Sequence, residues 1–179
     1  MKPKTKSIMK NTHHFIRLHD RIDRGAYEKI KDRFMKIHNN DIVTIHIRSY
    51  GGELLYAQKI CDLILSRRNE IEIIGVAYGY VFSSALRILI TCTYRIDYVG
   101  TKYQLHLPVM QDGVEEETLE IYKVQEQEVE FHTCFLNKQK EVMRQLFNQG
   151  TILNNEHARM LGIINFGTLK TPLSKLILE

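Results

Sequence analysis

Ile71-Glu72-Ile73-Ile74-Gly75-Val76-Ala77 runs through Tyr78 into Gly79-Tyr80-Val81-Phe82-Ser83-Ser84-Ala85, and this stretch decides the fold. The first part is a β-branched apolar run of strand length. The residues after it, Ala85 to Ile90, read as a buried helix. A serine is thus placed on a strand-to-helix turn, where its hydroxyl can stand exposed beside the unpaired first N–H groups of the helix. Those N–H groups favour an anion, which is the charge an acyl-transfer intermediate develops. Downstream, Tyr103-Gln104-Leu105-His106-Leu107-Pro108 predicts a short strand that presents a histidine just before a proline ends the pairing.

Each signal alone has a plain structural reading. A serine in a turn is most often a helix cap, and a strand histidine is most often a packed side chain. A third stretch sharpens the pattern: Ile47-Arg48-Ser49-Tyr50-Gly51-Gly52-Glu53 is again a strand running into a turn and a helix. Its paired glycines permit positive φ and a close approach of backbone to a ligand.

Taken together, these motifs resemble those of the Clp protease proteolytic subunit (ClpP) family. That family has a Ser-Pro-Gly-Gly turn, a Gly-x-x-x-Ser turn and a strand ending in His-x-Pro. Here they read Ser49-Tyr50-Gly51-Gly52, Gly79-Tyr80-Val81-Phe82-Ser83 and His106-Leu107-Pro108. Ile60-Cys61-Asp62 matches an Ile-Tyr-Asp segment, and Asn155 to Asn165 resembles the family's closing Glu-Ala, Tyr-Gly-Leu-Ile-Asp segment. The resemblance spans roughly residues 14 to 168. It implies an α/β fold of the ClpP/crotonase type, a layered parallel sheet with helices and a projecting helical handle.

The same resemblance implies roles. Ser83 would be the nucleophile and His106 the general base, with Gly52 and Ser84 lending backbone N–H groups to an oxyanion hole. Ser84 is the rival to Ser83, which is preferred because it stands four residues after Gly79. The family's aspartate falls on Gly150, between neutral neighbours, so the third triad member is unknown. An amide from Asn148 or Gln149 is the expected substitute. Removing the carboxylate from such a triad costs about 10⁴ in turnover.

Composition sets the remaining bounds. A chain of 179 residues, with 44% hydrophobic and 26% charged residues, suits one domain with a real core. The net charge of +4 is mild, and only Lys2, Lys4, Lys6 and Lys10 cluster. Residues 1–13 are therefore expected as a basic tail and 14–179 as a single domain, with no nucleic-acid partner. Cys61, Cys92 and Cys134 form neither a disulfide framework nor a metal-ligand pattern, so no metal and no cofactor are expected. The absence of a long apolar run argues against a membrane partner, and a cytoplasmic location is expected.

Strands at 41–48 and 71–77 alternate with helical patterns at 26–37 and 54–66, which predicts crossover units and parallel pairing. Residues 114–148 contain no glycine or proline and are rich in Glu, Gln, Lys and Leu. They predict one long helix of about 50 Å whose first half projects toward another subunit.

Three functions follow. The first is a serine endopeptidase cleaving peptides or unfolded proteins inside a ring. That ring would be a homo-oligomer, heptameric and stacked, or a mixed ring with a paralogue, served by an ATP-dependent unfoldase. The second is a weak or inactive ClpP-like structural subunit. The third is a crotonase-type acyl-CoA enzyme, which explains neither Ser83 nor His106.

Overall fold

The computed structural model describes residues 11–108 and 118–170. Strand and helix alternate through the first half: β1 (His13–Ile22), α1 (Arg24–Phe34), β2 (Ile42–Gly52), α2 (Leu54–Arg67), β3 (Glu72–Phe82) and α3 (Ser84–Thr91). Two short strands follow, β4 (Tyr94–Tyr98) and β5 (Lys102–Gln104). The remainder is α4 (Thr118–Leu136), α5 (Lys140–Gln149), β6 (Ile152–Leu153), α6 (Asn155–Met160) and β7 (Gly167–Leu169).

The main sheet runs β1-β2-β3-β4-β7, and every neighbouring pair is parallel. Parallel neighbours need crossovers, which the intervening helices supply. Along β2 the alternation of residue types becomes alternation of environment: Val43, Ile45 and Ile47 are fully buried while Arg48 and Tyr50 are exposed. Ile60 and Ile64 of α2 and Leu86 and Leu89 of α3 belong to the same core cluster as these strand residues.

β3 changes partner along its length. Residues 74–77 pair with β4, whereas Tyr80, Val81 and Phe82 pair in parallel with β5. β5 in turn pairs antiparallel with β6. The sheet therefore splits at the end of β3 where Ser83 stands.

Two sequence expectations are revised here, and a third falls mainly outside the described residues. The histidine strand is shorter than predicted, since β5 stops at Gln104 and His106 lies two residues beyond it. The basic tail falls mainly outside the described residues, and Thr12 is already tied to Asp41 by a 2.9 Å hydrogen bond, with His13 opening β1. The predicted helix over 114–148 begins outside the described residues and is divided within them. Asn137 takes a left-handed conformation (φ 50°), and the Lys138 N–H closes back on the Thr133 carbonyl at 3.2 Å. Asparagine is the non-glycine residue best suited to such a stop. The chain then reverses into α5, and Arg144 and Lys140 pair with Glu126 of α4 at 2.9 and 3.1 Å. Val129, in the half of that run expected to project toward another subunit, is 1% exposed, and it shares the core cluster with Met143 and Phe147 of α5. No helix of the described residues is long and apolar enough to cross a membrane.

Candidate active site

Ser83 is the residue at which β3 becomes α3, and its backbone is unusual there (φ 54°, ψ −131°). A serine in that region carries a local strain of about 1–3 kcal/mol. The surroundings that impose it are visible. The Ser83 N–H donates to the Gln104 carbonyl at 2.9 Å, continuing the β3–β5 register one step past the last strand pair. The Ser83 carbonyl accepts from Leu86 N–H at 2.9 Å, the first bond of α3. The amides of Ser84 and Ala85 precede that bond, as the opening of any helix requires.

The Ser83 side chain makes no capping bond to its own helix, so the plain reading as a cap does not describe it. Ser84 is different. It is buried, and its hydroxyl donates to the Gly52 carbonyl at 3.3 Å. Of the two adjacent serines, only Ser83 is partly open to solvent.

The glycine pair fits against this turn closely. Gly51 has φ 99°, and a Cβ added there would sit 2.8 Å from the Ser83 Cβ. Gly52 has φ 154°, and a Cβ there would sit 2.2 Å from the Ile22 carbonyl oxygen of β1. Contacts this short exclude any side chain at either position. Ser49 fixes the approach, its hydroxyl donating to the Asp20 carbonyl and accepting from Gly51 N–H at 3.0 Å.

His106 is half-buried, and its Nδ1 lies 2.9 Å from the Leu107 carbonyl. A carbonyl can only accept, so Nδ1 carries the proton and the lone pair is on Nε2. Ser83, Ser84, Gly52 and His106 all line one cleft of about 630 Å³. The four residues singled out from the sequence therefore come together.

The third position is resolved less simply. Gly150 ends α5 in a left-handed conformation (φ 59°) and is brought back beside His106 by the reversal at Asn137. A Cβ on Gly150 would lie 4.0 Å from the His106 Cβ. Neither Asn148 nor Gln149 hydrogen-bonds His106 among the described residues, which corrects the expected amide partner. They belong to the last turn of α5, and the group that engages the ring is the backbone carbonyl of Leu107. Gln104 closes the corner by donating its amide to the Gly150 carbonyl at 2.7 Å.

The cleft also has a wall that motif reading missed, formed by Glu128 and His132 of α4 and Phe147 of α5. Glu128 is 6% exposed and His132 1% exposed. A signal was present: Arg87 is the one charge in the otherwise apolar or small-polar helix 84–91. A buried arginine requires an anion, and Glu128 is that anion.

The family model described as Clp protease matches residues 4–166. The chain belongs to the Clp protease family. Among solved structures, a ClpP1 point mutant from Listeria monocytogenes aligns with a TM-score of 0.76 at 21% identity, covering 88% of this chain and 91% of its own. The ClpP protease catalytic domain from Plasmodium falciparum aligns at 0.75 and 22% identity, covering 89% and 86% respectively. No curated protein matches the chain. The Clp protease fold, with its parallel sheet and flanking helices, is thus the architecture of this chain, in agreement with the fold class expected from the motifs.

Proposed function

We propose that this Clp protease family member is a serine endopeptidase acting on peptides or unfolded proteins. Ser83 is the nucleophile. His106 Nε2 removes its proton as Oγ attacks the peptide carbonyl, and later returns that proton to the leaving amine. The tetrahedral oxyanion is held by backbone N–H groups of Gly52 and Ser84, aided by the partial positive charge at the start of α3. The imidazolium that forms keeps its Nδ1–H on the Leu107 carbonyl. A neutral acceptor orients the ring but offsets its charge less than a carboxylate does, so turnover is slow.

One observation carries this reading. Ser83 adopts a strained positive φ in the lining of the cleft that His106 shares, with no capping bond to account for it. A fluorophosphonate probe tests it directly. Labelling mapped by mass spectrometry to Ser83, and abolished by Ser83→Ala, is the expected result. Labelling at Ser84, or none at all, overturns it.

A second reading is favoured by Gly150: a catalytically weak or inactive subunit in a ring mixed with a paralogue. Either way, assembly into a ring of copies, heptameric and stacked by family resemblance and served by an ATP-dependent unfoldase, is part of the proposal. Exposed apolar side chains such as Phe15, Tyr50, Leu55 and Tyr122 supply surface for it. Native mass spectrometry of the pure chain separates a homo-ring from a subunit that needs a partner. An acyl-CoA enzyme of the crotonase type remains the third reading, and acyl-CoA binding would support it.

A further inference from the structure

Past Ser49 the two halves of the site are no longer joined by the sheet. The register between β2 and β3 runs from Ile42↔Glu72 to Ile47↔Ala77, jumps to Ser49↔Val81 and stops there. Residues 50–52 have no register partner on β3. Gly51 nevertheless sits so close to the serine turn that a Cβ on it would meet the Ser83 Cβ at 2.8 Å and the Phe82 carbonyl at 3.1 Å. On its other side the glycine pair is fixed to β1, through the register of Gly52 with Ile22 and the Glu53 N–H on the Ile22 carbonyl at 2.8 Å. Toward α3 the polar link is the Ser84 hydroxyl on the Gly52 carbonyl, a long bond of 3.3 Å.

Aromatic side chains span that gap. The register jump takes in Gly79 (φ 66°), and Tyr80 beyond it stacks on Tyr50, ring centres 3.8 Å apart and planes 17° apart. Phe82 meets the Tyr50 ring edge-on at 5.6 Å, and the Arg48 guanidinium lies over the Tyr80 ring at 5.1 Å. Tyr50 directly precedes Gly51, and Phe82 directly precedes Ser83. The stack therefore ties the residue before the glycine pair to the strand that ends in the serine. Tyr50 is 65% exposed and belongs to neither core cluster, so burial does not account for the stack.

We propose that Tyr50 is a positioning residue for acylation: stacked on Tyr80 and met edge-on by Phe82, it holds the Gly51–Gly52 turn where the Gly52 N–H is aimed at the oxyanion. This role rests on the peptidase reading above. Tyr50 acts through the turn and not on the reacting atoms. An oxyanion donor is effective because it is already aimed and needs no reorganisation during the reaction. Displacing such a group by about 1 Å costs on the order of 10²-fold in rate.

The test uses the full chain and a fluorophosphonate probe titrated to saturation, which separates the maximal labelling rate from the affinity for the probe. Tyr50→Ala should lower the maximal rate about tenfold or more, with half-saturating concentration, melting temperature and native mass close to the parent's. Tyr50→Phe keeps the ring and should label within about twofold of the parent. Tyr80→Leu removes the other face of the stack and should slow labelling as Tyr50→Ala does. The double replacement should be no slower than either alone, because both remove one contact. Hydrogen exchange reads the positioning without the chemistry. The Gly51 and Glu53 amides, bonded at 3.0 and 2.8 Å, should exchange faster in Tyr50→Ala and not in Tyr50→Phe. Tyr50→Ala labelling at the parent's rate overturns the inference, as does slowing that Tyr50→Phe shares or that multiplies in the double variant. Slowing that comes with a collapsed melting temperature or a changed native mass also overturns it, by assigning Tyr50 to the fold or to assembly. A parent chain that never labels sinks the peptidase reading and this role with it. A parent that labels beside an equally fast Tyr50→Ala sinks the role alone.

Discussion

Gly150 stands beside His106 closely enough that a side-chain carbon on it would lie 4.0 Å from the histidine Cβ, with no atom closer than 3.9 Å. There is room for a short side chain where the histidine would receive it. The obstacle is conformational, since φ at Gly150 is 59°. Asp and Asn tolerate that region better than other residues with a Cβ. Gly150→Asp is therefore expected to speed fluorophosphonate labelling by on the order of 10²-fold, short of the full effect of a triad carboxylate. It should also lower stability by about 1 kcal/mol. Gly150→Ala carries the strain without the charge and should lower the melting temperature without faster labelling. Equal labelling rates in a folded Gly150→Asp would show that Leu107 already serves the role.

The two serines should separate cleanly. Ser84→Ala removes a hydroxyl that donates to the Gly52 carbonyl at 3.3 Å, and leaves the backbone N–H in place. Its cost is that of one modest hydrogen bond, about 1 kcal/mol. Labelling should persist at a rate within about tenfold of the parent, a range that corresponds to that energy. Complete loss of labelling in Ser84→Ala, with labelling retained in Ser83→Ala, would reverse the assignment.

The elements around Ser83 were legible because each depends on local chemistry. The β-branched run from Ile71, the glycine pair at 51–52 and the apolar helix after Ser84 each specify their own conformation. What escaped depended on long-range packing. Nothing in the 114–148 run marks the stop at Asn137 except an asparagine, and helix propensity cannot show that α5 returns to cover Val129. That return is what sets Gly150 against His106 and makes Glu128 and His132 part of the cleft. The partner of His106 is a backbone carbonyl, which leaves no trace in residue identity.

Asp97 is a further buried carboxyl group, and it has no cation partner among the described residues. It is fully buried and accepts from the Tyr103 hydroxyl at 2.8 Å, the Asn155 amide at 2.5 Å and the Thr168 hydroxyl at 2.5 Å. These bonds tie β5, α6 and β7 to β4. Asp97→Ala strands the buried Tyr103 hydroxyl and removes an acceptor from the half-buried Asn155 and Thr168, and should cost about 3 kcal/mol in urea melts. Asp97→Asn should cost less, because the Thr168 hydroxyl can turn to accept from the new amide. Equal losses would show that charge, not donor satisfaction, is what the site requires.

Acid should weaken the fold through His132. Its imidazole sits at about 4 in the folded chain against an ordinary 6.5, so the unfolded chain takes up a proton first as pH falls. The His132 contribution to stability should decline between pH 6.5 and about 4, by on the order of 3 kcal/mol, and level off below. Burial lowers His19 and His46 too, adding to the decline from 6.5 downward. Asp41, held at about 2 chiefly by the Thr12 and His38 N–H groups, acts only between 3.8 and 2. In urea melts at pH 7 and pH 4.5, His132→Phe should show a clearly smaller drop than the parent. An identical drop would place the acid sensitivity elsewhere.

The pair Arg87–Glu128 offers the sharpest energetic test, because both partners are buried (6% exposed each) and α3 and α4 meet through them. Two ions taken out of water recover their desolvation only through each other. Removing one leaves the other uncompensated. Arg87→Met should therefore destabilise by about 3–5 kcal/mol, and Glu128→Met by a similar amount. The double replacement removes both charges and restores an apolar contact with Phe131, so it should be much less destabilised than the sum of the single changes. A coupling of several kcal/mol in that cycle is expected. Additive losses would mean that the two side chains act independently, with Gln58 and water sufficient for Arg87. The double variant should still label at Ser83, since α3 keeps its backbone and its first amides. Loss of labelling in a folded double variant would mean that the ion pair holds the Ser83 turn itself.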